Sequence, residues 1–365
     1  MSFDLSKCNY CGECLERCKY TTFDREQGSE NMKALVKGQP ARIMDECVTC
    51  WACNTYCPTG ANPADLILLK MEEKGYKCSP ALIQMVEMLS SSQISPSSVK
   101  KGKPGKPIFN VCVFYDVIPD LFQGKLFEGG TFLIGGEYEA NLAYEHIGRP
   151  TSFKEVLARK IRNIAKVSGE NEVVFMHDDS YVAVTAKAEE FAIDVPFKPV
   201  HQAEYFRNYL KKCKDRIKKL DLKIAYQLPC TTHYIPLLNK WIDEVMELIG
   251  CERVGRTYDR DNQICCGGLI SSRKGAQACQ TVRTINIEDA KTAGAEAFIM
   301  HCHACAIGLR EMANASGMKP YMLTELVRLA LGETVSGPGA GLGDNRDVIK
   351  MFGAVLSGQI QKIPF

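Results

Sequence analysis

The sequence predicts a mixed chain: a helix-rich, cysteine-bearing α+β domain first, then a duplicated α/β domain. Three observations predict it. Eight of the 18 cysteines fall between residues 8 and 57, short apolar runs alternate with helical patterns beyond residue 107, and two of those runs repeat one another. A length of 365 residues suits roughly two to three domains. With 45% apolar and 24% charged residues, disorder and collagen-like structure are excluded. A net charge of +2 gives no basic field for nucleic acid. No run approaches the roughly 18 apolar residues of a membrane span, although peripheral association stays open. MSFDLSKC has no apolar signal core, so the expected location is the cytoplasm. There thiols stay reduced, and cysteines in this number are most often metal ligands.

The elements follow in order. Residues 1–89 hold the cysteine runs and then PADLILLKMEEKGYKCSPALIQMVEMLS (62–89), whose apolar spacing predicts two short helices broken at Ser79-Pro80. SSSQISPSSVKKGKPGKP (90–107) is almost without apolar residues and predicts a solvated linker. Runs at 107–115, 172–176, 222–226 and 296–300 predict buried strands, and 151–167, 234–249, 275–293 and 320–331 predict amphipathic helices. VVFMHDDSY (173–181) and AFIMHCHAC (297–305) match, each a strand ending in Met-His. Two related lobes are expected, 108–221 and 222–332, followed by a tail, 333–365, flexible at first and then apolar, that docks on a partner or on this chain.

Cys8, Cys11, Cys14 and Cys18 stand at x2, x2, x3 spacing, as do Cys47, Cys50, Cys53 and Cys57, the last followed by Pro58. Three thiolates three residues apart wrap one face of a cubane, while the fourth reaches a second cluster. The expected ligand sets are Cys8, Cys11, Cys14 and Cys57 for one [4Fe–4S] cluster, and Cys47, Cys50, Cys53 and Cys18 for another, making 1–89 a ferredoxin-type domain. Zinc sites pair cysteines in twos rather than in runs of four. Lys19 replaces the proline that often follows the fourth cysteine.

A second set reads Cys230-x34-Cys265-Cys266-Gly267-Gly268-x33-Cys302-x2-Cys305. Gly267 and Gly268 let backbone approach the site closely. The spacing resembles the CCG domain of heterodisulfide reductase-type proteins, and MLTELVRLALG (322–332) resembles that family's closing helix. The resemblance covers nearly the whole chain: a C-type ferredoxin module and a B-type CCG domain, fused as in a D subunit. It implies that Cys230, Cys265, Cys266, Cys302 and Cys305 ligate a third, noncubane [4Fe–4S] cluster; a cubane on four of the five is the other arrangement. It further implies an iron–sulfur oxidoreductase subunit passing single electrons from a flavin-containing or other iron–sulfur partner to a centre that reduces a thiol or disulfide, within an anaerobic hetero-oligomeric complex.

The departures from that family favour a second expectation. The first lobe lacks the CC pair and the CxxC, with Asp178 and Tyr181 at the ligand places and Gly135-Gly136 as a remnant of CCGG. Oxygen ligands of that kind do not assemble a thiolate cluster, so the lobe is expected to be metal-free. A chain with one complete set could be an electron relay without its own substrate, in a complex reducing, for example, CoA esters or aromatic-CoA compounds. His233 and His303 are candidates for proton donation near the third centre, whereas His301, matched by His177, fits a structural role. Cys112 stands where a vestigial ligand could be, or is a small buried hydrophobe like Cys78, Cys213, Cys251 and Cys279. GKPGK (102–106) and GAGLG (339–343) lack the spacing or context of nucleotide loops, so no flavin or nicotinamide is expected.

Overall fold

The computed structural model describes residues 3–75, 78–91, 93, 95–335, 346–360 and 362–363. It mixes helices with two parallel-rich sheets. Helices of eight or more residues are numbered. In the first part these are α1 (Arg25–Val36), α2 (Pro63–Glu73) and α3 (Pro80–Leu89). Asp24 starts α1 with a capping box: its carboxylate accepts from Gln27 N, and the Gln27 side chain accepts from Asp24 N. Pro63 and Pro80 occupy first helical positions, where a missing N–H costs nothing. Leu15, Met32, Leu35, Trp51, Ile67 and Met71 form the core here, each at most 1% exposed.

The first sheet runs β1 (Ser98–Lys100), β3 (Thr131–Ile134), β2 (Ile108–Cys112), β4 (Glu172–Phe175), β5 (Lys198–His201), parallel except for β1. The second runs β7 (Cys251–Arg253), β6 (Leu222–Gln227), β8 (Ala297–Met300), β9 (Lys319–Met322), all parallel. In each, the first long strand is central, the next lies on one side and the last two on the other. The helices between and beyond are α4 (Pro150–Ser168), α5 (Gln202–Lys212), α6 (Leu238–Ile249), α7 (Gly268–Thr292, broken at Gly275), α8 (His303–Ala315), α9 (Leu323–Ala330) and α10 (Arg346–Leu356).

Three expectations change. The segment 90–107 is not a free tether: Ser98–Lys100 adds an antiparallel edge strand, Ser95 is fully buried, and buried Lys160 donates to the carbonyls of Ser90 and Gly136 at 2.9 and 2.7 Å. Main-chain bonds hold it, so its composition gave no sign. Gly135 and Gly136 serve that contact, since a Cβ on Gly136 would lie 1.8 Å from Ser91 O. The expected helix 320–331 begins as strand β9, where Pro320 supplies no N–H for a helix turn and Tyr321 pairs with Ile299. The apolar tail docks on this chain: α10 packs on α3, α7 and α8 with Phe352, Val355 and Leu356 buried. The glycine-rich stretch 336–345 lies outside the described residues.

Candidate metal centre

Two loops of the first part share one backbone device. Tyr10 and Gly12 flank Cys11 with φ of +57° and +80°, and Thr49 and Trp51 flank Cys50 with φ of +57° and +59°. Left-handed residues at matching places curl both loops so that three cysteines face inward, and non-glycine residues accept that conformation only when the surroundings fix it. Cys8, Cys11, Cys14 and Cys57 form one group; burial and the three neighbouring thiols push Cys14 up to about 12. Cys18, Cys47, Cys50 and Cys53 form the next, with burial pushing Cys47 up to about 11. Backbone N–H groups point at sulfur, Thr49 N to Cys47 Sγ and Ala61 N to Cys57 Sγ, both at 3.3 Å. Such donors suit thiolates that hold a cluster.

Five further cysteines converge at the C-terminal ends of β6 and β8, the end at which open parallel sheets build sites. Cys230 begins the 3₁₀ turn after β6, Cys265 and Cys266 precede α7, Cys302 caps α8, and Cys305 lies in its first turn. The thiols touch: those of Cys265 and Cys305 hydrogen-bond to Cys266, and Cys305 to Cys302, which holds Cys266 and Cys302 below the usual thiol range. Gly267 has φ +93°, and a Cβ there would lie 2.8 Å from Arg283 Nε and 2.9 Å from Cys279 Sγ. Its N–H donates to Cys265 Sγ at 3.3 Å. This soft, converging donor set fits an iron–sulfur cluster and no hard cation.

The groups are contiguous. Cys53 of the second group lies within electrostatic reach of Cys14 of the first, and Cys230 within reach of Cys50. Tyr20 lies beside Cys18 and Cys50, and its Oη accepts from Cys265 N at 2.7 Å. Arg273 of α7 donates to the carbonyls of Cys47 and Met44 at 3.0 and 2.6 Å, clamping the two parts together.

The five cysteines open on a cavity of about 110 Å3 between the lobes. Across from them stand Phe114, Asn141, His146, His177 and Asp179, while Met85 and Leu89 of α3 and Phe352 and Leu356 of α10 close the apolar sides. His146 Nε2 lies 3.7 Å from Cys230 Sγ and its Nδ1 3.2 Å from Thr49 Oγ1; burial pulls its pKa down to about 3. Asp179 is pushed up to about 7 by burial, against the pull of His177. The sequence offered no signal for His146, which belongs to no motif. Tyr20, two residues past Cys18, was equally silent.

Neither candidate histidine is on the cavity wall. His233 hydrogen-bonds Thr55 Oγ1 of the first part and lies 3.5 Å from Gln263 Nε2. His303 stacks on Phe114 with ring centres 3.5 Å apart. His301 lies between Tyr226 Oη at 2.8 Å and Asp178 Oδ2 at 2.7 Å. Asp178 also meets His201 Nε2 at 3.1 Å, and these imidazoles hold its carboxyl well below the usual range. Register locates the first lobe's counterparts. Ile108 pairs with Val173 as Ile224 pairs with Ala297, which sets Asp178 level with Cys302 and Tyr181 level with Cys305, while a bulge between Asn110 and Cys112 breaks the count along β2.

Residues 224–310 match the CCG cysteine-rich domain, the domain found in heterodisulfide reductase-type subunits. That domain marks an iron–sulfur redox function. No curated protein matches the chain. Among solved structures, it resembles a hypothetical protein from Helicobacter pylori, with a TM-score of 0.54 and 14% identity over 92% of this chain and 68% of that one. At that identity the likeness is one of fold. Among the described residues no helix is long and apolar enough to cross a membrane.

Proposed function

We propose that the chain is the iron–sulfur subunit of a heterodisulfide reductase-like complex. In this reading Cys8, Cys11, Cys14 and Cys57 hold one [4Fe–4S] cluster, Cys18, Cys47, Cys50 and Cys53 a second, and Cys230, Cys265, Cys266, Cys302 and Cys305 a noncubane third. The observation that carries it is the contact between the cysteine-bearing loops, Tyr20 Oη on Cys265 N and His146 between Thr49 and Cys230, with the five-cysteine group opening on a cavity. When bound, such clusters take up and release single electrons. The chain's own residues shape the rest: Phe352 and Leu356 keep one side of the cavity apolar, and Asn141, His146, His177 and Asp179 give the facing side its hydrogen-bonding groups. The reaction assigned to the cavity is reduction of a disulfide, two electrons and two protons yielding two thiols. The electrons come from a flavin-bearing or iron–sulfur partner in a cytoplasmic, hetero-oligomeric complex.

The shared strand order of the sheets supports a duplication, with domains at 1–89, 108–221 and 222–332. One observation favours a pure relay: Asp178 and Tyr181 stand in the first lobe where Cys302 and Cys305 stand in the second, a donor pair that does not build a second cluster facing the third. Iron and sulfide analysis of anaerobically purified protein, with EPR before and after thiol addition, separates the readings. About 12 Fe per chain with a thiol-dependent signal supports disulfide reduction; about 12 without it favours the relay. About 8 Fe removes the third cluster and the mechanism with it.

A further inference from the structure

Outside the cysteine groups, the described residues bring together two buried clusters of metal-ligating side chains: Asp178 with His201 and His301, and Cys112 with Glu139 and His177. The first explains itself as a hydrogen-bond web. His201 Nδ1 accepts from Ala203 N, His301 Nδ1 meets Tyr226 Oη, and Asp178 takes both remaining imidazole nitrogens together with Gln202 and Thr231.

The second is different. The Sγ of Cys112, a carboxylate oxygen of Glu139 and a ring nitrogen of His177 lie within 4.8 Å of one another. Cys112 and Glu139 are wholly buried and His177 nearly so. Glu139 Oε1 lies 3.0 Å from His177 Nδ1, but Oε2 has no hydrogen-bond partner among the described residues. A buried carboxylate oxygen left without a donor is uncommon and asks for a cation or water. The backbone adds an independent sign. Cys112 has φ +44° at a bulge where the β2–β3 register shifts between Asn110 and Cys112. Bulges re-aim side chains, and a strained non-glycine residue persists where its side chain is held for a purpose. Here the thiol is directed at Glu139 and His177.

We propose that Cys112, Glu139 and His177 bind a zinc ion in the first lobe. One thiolate, one imidazole and one carboxylate are the mixed donors zinc accepts in tetrahedral sites. Calcium and magnesium need oxygen throughout, and an iron–sulfur cluster needs more thiolates. Three protein ligands leave a fourth place for a water or a soft donor such as a thiolate; His177, which also touches Cys302, lines the cavity where such a donor would arrive. The proposal departs from the expectation of a metal-free lobe and does not depend on the function assigned above.

The test uses full-length, iron-loaded protein incubated anaerobically with equimolar zinc sulfate and desalted. Zinc and iron are then counted, and the zinc K-edge absorption spectrum is recorded. The expected result is about one zinc per chain, with one sulfur at about 2.3 Å and nitrogen and oxygen at about 2.0–2.2 Å. Glu139→Gln and Cys112→Ser should each retain less than roughly a tenth of that zinc at unchanged iron. No retained zinc overturns the site. So does zinc ringed by three or four sulfurs, which would be zinc lodged among cluster cysteines. Wild-type levels in both variants would also overturn it. Should Cys112→Ser fail to fold, the wild-type spectrum decides alone. Low iron with a one-sulfur zinc spectrum would count against the iron–sulfur reading and leave the zinc site standing.

Discussion

His146 ties the second cysteine group to the third, bridging Thr49 and Cys230 while its ring lies 4.1 Å from that of Trp51. In the tautomer with its proton on Nε2, His146 donates to Cys230 Sγ, and a hydrogen bond to a ligand sulfur stabilises the reduced cluster, so removing it lowers the potential. His146→Leu is expected to lower the midpoint of the five-cysteine centre by about 40 mV, a bond worth about 1 kcal/mol read on a one-electron couple. Iron content should not change; an EPR-monitored redox titration showing no shift would remove His146 from the site. Gly267 sets a harder limit. Gly267→Ala must displace Arg283, whose Nε donates to Cys266 O at 3.0 Å. The variant should lose about four irons and keep about eight, measured by iron analysis. These two residues differ in how they show in the sequence. Gly267 stands inside a spaced motif whose chemistry needs close backbone approach, whereas His146 acts by position alone, brought to Cys230 by a fold that local pattern does not encode.

Among the elements, α10 links the tail to the chemistry. Phe352 and Leu356 wall the cavity, and Leu356 O accepts from Arg283 Nη2 at 3.4 Å, the same arginine that supports Cys266. The helix therefore excludes water from the five thiols. Deleting residues 346–365 should make the third centre lose its iron in air well before the first two. The visible spectrum followed on air exposure would reveal this as a fast phase absent from wild type, and identical decay curves would deny α10 a protective role. Filling matters as well as covering: Phe352→Ala should cost about 3–5 kcal/mol in thermal or denaturant unfolding. The tail's apolar face was legible as a docking surface, but the sequence cannot say onto what, because amphipathicity carries no address. The segment 90–107 shows the opposite gap. Its polar composition describes the side chains of β1, while Lys160 and the bare backbone of Gly135-Gly136 do the holding.

At the scale of the molecule, a buried ionic cluster joins all three parts. Lys187 Nζ of the first lobe lies 3.2 Å from Asp65 Oδ1 of α2, 2.9 Å from Glu145 Oε1 and 2.9 Å from Glu190 Oε2. Tyr234 of the second lobe donates to Asp65 Oδ1 at 2.8 Å. One lysine serves three carboxylates, so burial outweighs its attraction on the acid side: Asp65 is raised, and Glu145 is raised from 4.5 to about 7, while Lys187 is raised as well. A carboxyl whose folded pKa lies above its unfolded one favours the fold below the unfolded value. That advantage is lost as pH rises from about 4.5 through about 7. Lys187→Met removes the cation and leaves the carboxylates facing an apolar stem. Breaking a buried pair from one side costs about 3–5 kcal/mol, which is the loss expected at pH 8. Without the lysine the carboxyl pKa values rise further, so at pH 6 the acids take up protons in the folded state and the charge is relieved. The gap in melting temperature between wild type and variant should therefore narrow steadily from pH 8 to pH 6 at a fixed scan rate. A gap constant across that window would mean that the carboxylates of this cluster do not titrate with folding.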